Sequence, residues 1–259
     1  MNLHLENKTA LVTGSTKGIG FAIARLLAAE GANVIVNGRS ADSARAAAER
    51  IVPRARGVAA DVSTAAGCAE LLRQVPGVDI LVNNAGIFEP KPFTEIPDAD
   101  WERFYQVNVM SGVRLTRAYL PGMLQRNWGR VIFMSSESGV QVPEEMIHYG
   151  MTKAAELALV NGIAQLTRHT NVTVNAVLPG PTASEGVTDF VNTLAAGAKQ
   201  TSAEFEKEFF RSVRPTSLLQ RFASVDEVAS MVAYLCSPLA SATNGAAVRV
   251  DGGVLRGTV

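Results

Sequence analysis

The sequence predicts an α/β fold, a doubly wound parallel sheet of seven strands with helices on both faces. Short apolar runs rich in β-branched residues recur along the 259 residues, and each is bounded by turn residues. Segments with helical periodicity separate the runs, and this alternation is typical of parallel strands joined by crossover helices. The seven predicted strands end at Thr13, Asn37, Asp61, Asn83, Ser135, Leu178 and Val250.

Residues that end and begin helices lie where this alternation requires them. Gly31 follows the first helical segment and suits a C-terminal cap. The sequence SVDE, Ser224 to Glu227, is a capping box before an apolar helical segment. Neither a linker rich in Pro, Ser and Gly nor an internal repeat interrupts the pattern, so we predict a single domain over residues 1–259.

The segment from about residue 182 to 221 departs from the alternation. It follows Pro179-Gly180 without a strand pattern and carries apolar residues among polar ones. A structureless connection of this length is unusual in a compact domain, so we expect short amphipathic helices. They form either a surface subdomain packed on its own aromatic residues or a substrate lid, and the place where the segment leaves the sheet favours the lid.

Composition argues against nucleic-acid and membrane partners. Lysine plus arginine equals aspartate plus glutamate, 24 against 24, so no net field draws the chain to a polyanion. The N-terminus lacks a signal-peptide pattern and no apolar run is long enough to cross a bilayer, so we expect a soluble cytoplasmic protein. Cys68 and Cys236 have no neighbouring ligand pattern, and we expect buried reduced thiols and no metal site.

The stretch TGSTKGIG, Thr13 to Gly20, directly follows the first predicted strand and opens the first helix. Gly14 permits a tight turn, Gly18 lets the backbone approach a pyrophosphate, and Gly20 lets helix and strand pack closely. The positive end of the helix would face the anion. This position in a βαβ unit predicts a dinucleotide-binding loop. Its cofactor-binding residues are Gly14, Ser15, Thr16, Lys17, Gly18, Ile19 and Gly20.

The second strand indicates which dinucleotide binds. An acid about 20 residues beyond the glycine loop would accept hydrogen bonds from the ribose 2′-hydroxyl of NAD, but Gly38 and Arg39 stand there. Lys17 and Arg39 are two cations that can converge on a 2′-phosphate. The alternative for Arg39 is a solvated charge at a strand end, which the absent acid makes less attractive. The sequence therefore predicts NADP(H) rather than NAD(H).

Tyr149 and Lys153 lie four residues apart where a helical pattern begins, downstream of serines that end an apolar run. Reduction of a carbonyl by hydride needs a proton, and a phenol with an ordinary pKa of about 10 gives it reluctantly at neutral pH. Because residues i and i+4 share a helix face, the Lys153 ammonium favours the Tyr149 phenolate. The Ser136 hydroxyl can donate a hydrogen bond to the same substrate oxygen.

Together these motifs resemble the short-chain dehydrogenase/reductase family over nearly the whole chain. The matching stretches are TGSTKGIG, NNAG at Asn83 to Gly86, Asn108 in YQVNV, Ser136, YGMTK at Tyr149 to Lys153, and LPGPT at Leu178 to Thr182. The resemblance implies a Rossmann-type fold. It also places the catalytic serine thirteen residues before the tyrosine, at Ser136 rather than at Ser135 or Ser138.

The resemblance assigns further roles to residues of this chain. With Tyr149, Lys153 would also contact the cofactor, at the nicotinamide ribose, and Asn108 would hold a water in a proton relay. Many relatives carry a threonine further from the Pro-Gly pair, where this chain has Ser184, so the nicotinamide contact falls to either Thr182 or Ser184. The other implied cofactor positions are Asp61, Val62, Asn83, Ala85, Gly86, Pro179 and Gly180.

These features predict an NADP(H)-dependent oxidoreductase that transfers hydride between nicotinamide and a carbonyl or secondary alcohol, with Tyr149 as general acid and base. One alternative is an NAD-linked alcohol or polyol dehydrogenase. Another is a protein that senses NADP(H) without turnover, although such relatives typically lose the tyrosine or lysine that this chain retains. The pocket segment, residues 139–148, favours an uncharged or apolar ketone. Similarity to 3-oxoacyl-carrier-protein reductases is general, and a basic patch for an acidic carrier is not evident.

The resemblance finally implies a homotetramer or homodimer in which two long helices pair across a two-fold axis. In this chain they would run from Trp101 to Leu120 and from His148 to Thr167, and the second carries small residues that allow close approach. His148 itself is expected in the pocket wall or at this interface.

Overall fold

Seven parallel strands form the central sheet, in the order β3-β2-β1-β4-β5-β6-β9. The computed structural model describes residues 2–51, 53–185 and 201–257. The strands of this sheet are β1 (Thr9–Val12), β2 (Asn33–Gly38), β3 (Ala55–Ala59), β4 (Ile80–Asn83), β5 (Gly129–Met134), β6 (Val172–Pro179) and β9 (Ala247–Val250). All seven predicted strands are present, each ending within two residues of its predicted end, so the predicted fold class is confirmed.

Helices cover both faces of the sheet. The described helices are α1 (Gly18–Ala29), α2 (Ala41–Glu49), α3 (Ala65–Gln74), α4 (Asp98–Phe104), α5 (Ser111–Gln125), α6 (Ile147–Gln165), α7 (Ser202–Ser212) and α8 (Val225–Cys236). A π-helical turn, Tyr105–Met110, joins α4 to α5. Gly31 follows α1 with a φ of 99°, and the capping box predicted at Ser224 opens α8. Among the described helices, none is both long and apolar enough to span a bilayer.

The two faces of the sheet belong to two separate apolar cores. Leu27 of α1 and Val232 of α8 pack on one face, and Leu115 of α5 and Val160 of α6 pack on the other. Neighbouring strand residues point to opposite faces, and every residue of β4 and β5 is buried. The strands therefore read as continuous apolar runs, which is why their positions could be predicted. Cys68 and Cys236 are buried free thiols that lie in different cores.

The segment between β6 and α8 contains strand structure that the sequence pattern did not predict. Thr182–Ala183 forms β7, which pairs in parallel with β8 (Ala223–Ser224) as a separate two-stranded sheet. Two-residue strands carry no periodicity, so the prediction of a segment without strands was wrong at its first residues. The expected amphipathic helix is present as α7, and residues 186–200 of the predicted lid lie outside the described residues.

The strand order reverses between β1 and β4, which are direct neighbours in the sheet. In doubly wound sheets such a reversal opens a crevice at the carboxyl ends of the strands, where ligands bind. The glycine loop follows β1 and the NNAG stretch follows β4. The fold therefore brings both predicted cofactor motifs to one crevice.

Candidate active site

The glycine loop has the backbone geometry that a close approach to a ligand requires. Gly14 and Gly18 both have a φ of 60°, a conformation that residues with a side chain rarely adopt. A Cβ at Gly20 would lie 2.4 Å from Asn84 Nδ2 and 2.6 Å from the Gly14 carbonyl oxygen. Asn84 Nδ2 donates to the carbonyl oxygens of Thr13 and Gly14 at 2.9 and 3.1 Å. Asn84 thus ties the NNAG loop to the glycine loop.

The N-terminus of α1 holds an anionic group in this structure. The backbone N–H of Gly18 donates to the Glu185 carboxylate at 2.9 Å. A carboxylate at this point occupies the kind of position that a phosphate takes at a helix N-terminus. The loop therefore fits a pyrophosphate, and Glu185 would have to leave Gly18 when one binds.

The two predicted cations are Lys17, directly before α1, and Arg39, directly after β2. Lys17 and Arg39 are both exposed, and over residues 2–51, 53–185 and 201–257 neither side chain forms an ion pair. Ser40 caps α2, and its hydroxyl accepts from the Ser43 backbone N–H at 3.3 Å. Free positive charges beside a helix N-terminus fit a 2′-phosphate. Ser40 was not predicted as part of this site, although its position before a helical segment is a recognisable capping signal.

Three predicted cofactor residues have structural roles in the loop. Ser15 is fully buried, and its hydroxyl donates to the Val12 carbonyl at 2.6 Å and accepts from the Asn37 N–H at 3.0 Å. Thr16 lies beside Gly38, where an added Cβ would come within 2.5 Å of the Thr16 methyl. Ile19 packs against the core. The Ser15 side chain is therefore turned away from the crevice.

Asn37 is a buried amide that sequence reasoning missed. Its side-chain oxygen accepts from the Gly14 N–H at 3.3 Å, and its amide donates to the carbonyl of Ala60 at 3.1 Å. Asn37 thereby fixes the glycine loop against β2 and β3. A buried asparagine in an otherwise apolar strand was the available signal, because a buried amide needs partners.

The predicted residues that follow β3 and β4 lie along the same crevice. Asp61 is exposed, and its carboxylate accepts from the Ser63 N–H at 3.1 Å. Val62 is buried and accepts a hydrogen bond from Cys68 through its carbonyl. Asn83 is buried, and its side-chain oxygen has no hydrogen-bond partner among the described residues. Such an orphaned acceptor marks a position where a donor from a ligand or water fits.

Ala85 and Gly86 bring the β4 loop close to the catalytic group. A Cβ at Gly14 would lie 3.0 Å from the Ala85 Cα, so the two loops are in contact. A Cβ at Gly86 would lie 3.5 Å from the Asn108 Oδ1 and 3.7 Å from the Lys153 Nζ. Gly86 therefore sits between the glycine-loop crevice and the candidate catalytic residues.

Thr182 and Ser184, the two candidates for the nicotinamide contact, lie in different surroundings. Pro179 ends β6, and Gly180 lies so close to the strand β9 end that an added Cβ would meet the Asp251 carbonyl oxygen at 2.6 Å. Thr182 is buried and its hydroxyl donates to the Gly180 carbonyl at 2.9 Å. Ser184 instead lies against the glycine loop, since its Cβ would be 3.4 Å from a Cβ at Gly18.

Ser136, Tyr149 and Lys153 come together at the carboxyl end of β5 and the first turns of α6. The Ser136 hydroxyl lies close enough to the Tyr149 phenol to influence its pKa, and the Lys153 Nζ lies 5.7 Å from the Tyr149 ring centroid. Ser135 uses its hydroxyl to bond the Lys153 carbonyl at 2.9 Å. The geometry thus separates a structural Ser135 from a Ser136 that faces the tyrosine.

A buried carboxylate that was not predicted lies beside Ser136. The Ser136 hydroxyl donates a short hydrogen bond to the Glu137 carboxylate, which also accepts from the Ser138 N–H at 2.9 Å. Arg214, which follows α7, pairs with Glu137 at 3.3 Å and with Glu145 at 3.1 Å. This cluster of two carboxylates and one guanidinium has one negative charge in excess. Glu137 adjoins the serine in sequence, whereas nothing in the sequence linked Arg214 to it.

The electrostatics around Tyr149 differ from the simple expectation that Lys153 favours the phenolate. Burial raises the pKa of the Tyr149 phenol well above its ordinary value, and the Glu137 carboxylate raises it further. The neighbouring Ser136 hydroxyl acts to lower this pKa, and so does the Arg214 guanidinium. In this state Tyr149 is protonated at neutral pH, as a proton donor must be.

Lys153 has its own partners. Its Nζ donates to the Met134 carbonyl at 2.7 Å and to the Glu156 carboxylate at 3.1 and 3.2 Å. Glu156 is buried and lies one helical turn beyond the lysine. Sequence reasoning missed it, although a glutamate three residues after a candidate catalytic lysine, on an otherwise apolar helix face, was visible.

Asn108 lies in the π-helical turn and is buried. Its side-chain oxygen accepts from the Ile87 N–H at 2.8 Å, and its amide donates to the Thr152 hydroxyl at 3.0 Å. Thr152 belongs to α6, so Asn108 connects the β4 loop to the helix that carries Tyr149 and Lys153. π-Helical turns are frequent at functional sites.

His148 is located neither in a pocket wall nor on the surface. It is fully buried, with its ring centroid 4.1 Å from that of Phe104 and 6.0 Å from that of Trp101. Burial lowers the pKa of His148, so the imidazole is neutral at pH 7. The residue therefore packs against Phe104 and Trp101.

Comparison with known proteins agrees with this geometry. A family model described as short chain dehydrogenase matches residues 8–195. The uncharacterized oxidoreductase YvaG of Bacillus subtilis (strain 168) is 49% identical, with 99% of each chain covered. The 3-oxoacyl-[acyl-carrier-protein] reductase FabG of Aquifex aeolicus (strain VF5) is 36% identical over 98% of this chain and 100% of its own.

Solved structures give the same result. The crystal structure of L-sorbose reductase from Gluconobacter frateurii, complexed with NADPH and L-sorbose, matches with a TM-score of 0.90 and 33% identity. The match covers 99% of this chain and 100% of that one. The chain belongs to the short-chain dehydrogenase family, oxidoreductases that use a nicotinamide cofactor and act on CH–OH and C=O groups.

Proposed function

We propose that this protein is an NADP(H)-dependent oxidoreductase that interconverts an uncharged carbonyl compound and its secondary alcohol. The observation that carries the proposal is the placement of Ser136, Tyr149 and Lys153 around one point beside the glycine-loop crevice. A proton donor, a positive charge and a hydroxyl that can hold an oxygen meet the needs of carbonyl reduction.

The chain's own residues have separable tasks in this reaction. The bound nicotinamide cofactor supplies or accepts the hydride. Tyr149 gives its phenolic proton to the substrate oxygen during reduction and removes it during oxidation. Ser136 turns its hydroxyl hydrogen from Glu137 to the substrate oxygen and holds that oxygen near the phenol. Lys153 stabilises the phenolate that remains after proton transfer.

Return of the proton to Tyr149 would run past Lys153 and Asn108. Both residues lie next to Gly86, so the path begins at the crevice and leads toward the π-helical turn. Asn108 holds the β4 loop against α6 through Ile87 and Thr152. We propose that it fixes a water at this point.

The preference for NADP(H) rests on Lys17 and Arg39. Lys17 directly precedes α1, Arg39 directly follows β2, and both side chains are exposed. Positions 38 and 39 carry no acid that could accept a hydrogen bond from the ribose. The related L-sorbose reductase was crystallised with NADPH. The remaining cofactor contacts come from Asp61, Asn83 and the NNAG loop, and Ser184 is better placed than Thr182 to reach a ligand at the glycine loop.

The pocket charge supports an uncharged substrate. Glu137 and Glu145 carry two negative charges against the one positive charge of Arg214. The Glu156 carboxylate, when ionised, offsets the charge of Lys153, so an anionic substrate would meet net repulsion. Arg214 also connects the chain after α7 to the catalytic loop. This contact supports a lid formed by residues 182–221 of a single domain.

An apolar groove along α6, lined by Ala155, Ala158 and Leu159 among others, supports a homodimer or homotetramer. We place the enzyme in the cytoplasm, where its two buried thiols stay reduced.

Tyr149→Phe tests the proposed function. Initial rates are measured with NADPH and NADH over a panel of uncharged ketones, hydroxyketones, aldehydes, keto acids and 3-oxoacyl thioesters. Wild-type protein is expected to reduce an uncharged member with NADPH. The phenylalanine variant should lose at least about 100-fold in kcat, because general acid catalysis is typically worth 10²–10⁴-fold.

NADPH binding by Tyr149→Phe, followed by fluorescence, should stay close to that of the wild type, because the substitution keeps the ring. A variant that retained more than about a tenth of wild-type kcat would contradict the role of Tyr149. Turnover of none of the panel by the wild type, with NADPH bound, would instead favour a protein that senses the cofactor.

A further inference from the structure

Glu156 contacts Lys153, one of the proposed catalytic residues, although the proposed reaction assigns no role to Glu156. It is 1% exposed and lies on the same face of α6 as Lys153, one helical turn away. Its two carboxylate oxygens are 3.2 and 3.1 Å from the Lys153 Nζ. The third partner of that ammonium is the Met134 carbonyl, at 2.7 Å.

This arrangement fixes the ammonium. Lys153 has three N–H donors, and the carboxylate and the carbonyl can engage all of them. These two partners restrict the rotamers of the flexible Lys153 side chain, so its charge stays at one distance from Tyr149. The ammonium that is proposed to act on the phenol is therefore already compensated by a neighbouring carboxylate.

We propose that Glu156 is a positioning residue that holds the Lys153 ammonium and, when ionised, opposes the effect of that ammonium on Tyr149. The protonation of Glu156 would then set the pH range in which the phenol exchanges its proton. This inference rests on the proposed roles of Tyr149 and Lys153.

The direction of the effect follows from burial and charge. Burial raises the pKa of Glu156 to about 7, although Lys153 acts to lower it. Below that pH the side chain is a neutral acid, and the full charge of Lys153 favours the Tyr149 phenolate. Above it the carboxylate cancels much of the lysine charge, and Glu156 contributes to the raised pKa of Tyr149.

Other charged groups near α6 do not account for this behaviour. The elements packed against α6 include α4, the π-helical turn, the two short turns at Glu137–Gly139 and Glu144–Met146, and β6, which carries no charge. Their titratable groups in the described chain are Asp98, Asp100, Glu102, Arg103, Tyr105, Glu137, which pairs with Arg214, Glu144 and Glu145. Among the described residues, Lys153 supplies the charge that shifts the pKa of Glu156.

The test is Glu156→Gln, which keeps the size and an oxygen acceptor for Lys153 but removes the charge. The pH dependence of kcat/KM for alcohol oxidation with NADP⁺ should change in a defined way. The rising limb, which reports formation of the phenolate, should move to lower pH by about one unit or more, since a nearby charge shifts a pKa by about 1–3 units. Glu49→Gln, which removes an exposed carboxylate at the end of α2, should leave the limb in place.

A readout without turnover separates this inference from the proposed function. The ultraviolet absorbance of the phenolate is titrated in the complex with NADP⁺ and without substrate, because the positive nicotinamide ring favours the phenolate. The Tyr149→Phe form of each protein is its blank. Glu156→Gln should again lower the pH of this transition. If the wild type turned over no substrate while the titration moved, the proposed function would fail and the charge coupling would stand.

Coincident pH profiles, or coincident phenol titrations, for the wild type and Glu156→Gln would overturn the inference. Far-ultraviolet circular dichroism checks that the variant is folded. If Glu156→Gln does not fold, Glu156→Met, which fills the same apolar surroundings without charge, is titrated in its place and must show the same shift.

Discussion

Arg39 and Lys17 are the residues on which the cofactor preference depends. Both side chains are exposed and free of ion pairs within the three ranges that the structure describes, so neither charge is committed to another residue. A solvated arginine gains little from the fold itself. We therefore expect Arg39 to contribute mainly to ligand binding, which the KM values for NADPH and NADH measure.

Arg39→Ala should raise the KM for NADPH at least about tenfold and leave the KM for NADH nearly unchanged. A charge-assisted hydrogen bond to the 2′-phosphate is worth roughly 1.5–3 kcal/mol, and NADH lacks that phosphate. The measurement is initial rates with both cofactors at saturating substrate. Arg73→Ala, which removes an exposed arginine of α3 paired with Glu70, is the control and should change neither value. Equal discrimination before and after the Arg39 change would leave that residue as a solvated charge.

Supplying the missing acid at position 38 needs a second substitution. A Cβ at Gly38 would come within 2.5 Å of the Thr16 methyl and 3.2 Å of the Ser43 hydroxyl. Gly38→Asp alone would therefore disturb the glycine loop as well as repel the phosphate. Combining it with Thr16→Ser removes the closest atom, and the pair gives a cleaner exchange toward NADH than the single change.

The catalytic residues could be predicted one by one because each carries its chemistry in a local pattern. Tyr149 and Lys153 are four residues apart on one helix, and Ser136 ends the adjacent strand. Glu137 and Glu156 were equally close in sequence, but their role depends on burial, which changes a solvated charge into a partner of the catalytic group. Arg214 lies in the predicted lid, 77 residues beyond Glu137, and the contact between them could be found only from the fold.

At the level of elements, α1 depends on its close approach to the β4 loop. Gly20 is in the first turn of α1, and Asn84 Nδ2 occupies the space where a Cβ would lie. The same amide bonds the carbonyls of Thr13 and Gly14. A side chain at Gly20 would push the helix away from both the loop and the crevice.

Gly20→Ala should therefore lower the free energy of unfolding by roughly 1–3 kcal/mol, the usual cost of overpacking, and weaken cofactor binding as well. Denaturant unfolding measures the first effect and cofactor titration the second. Gly122→Ala is a matched control within α5, where a Cβ would meet only the flexible end of Arg126 at 3.2 Å. It should be neutral or stabilise by about 0.5–1 kcal/mol, because glycine is a poor helix former. A Gly20→Ala protein as stable as the control would refute the packing argument.

The strands of the main sheet could be predicted because buried parallel strands are continuously apolar. The same rule could not predict β7 and β8, because these strands have two residues each and form a separate pair. The π-helical turn at Tyr105–Met110 was also missed, since one extra residue in a helical turn leaves little trace in the apolar periodicity. The π-helical turn escaped prediction because it is short. The β7–β8 pair escaped because its strands are short and far apart in sequence. Both features lie next to the site.

For the whole molecule, the described residues leave an apolar surface open along the outward face of α6. An apolar groove runs along it and onto the π-helical turn. It is lined by Tyr105, Val109, Ala155, Ala158, Leu159, Gly162, Ile163 and Leu166. Leu166 is 64% exposed in the isolated chain. Small residues at this face let a second helix approach closely, and an exposed apolar groove of this kind marks an interface.

Wild-type protein should therefore give the mass of a dimer or tetramer by light scattering at micromolar concentration. Ala158→Arg should shift the mass downward, because a long charged side chain in the middle of the groove would be buried without a partner in a symmetric pair. Ala66→Arg places the same charge on an exposed position of α3, away from the groove, and should leave the mass unchanged. A monomeric wild type, or an Ala158→Arg protein with the wild-type mass, would show that this face of α6 is not the interface.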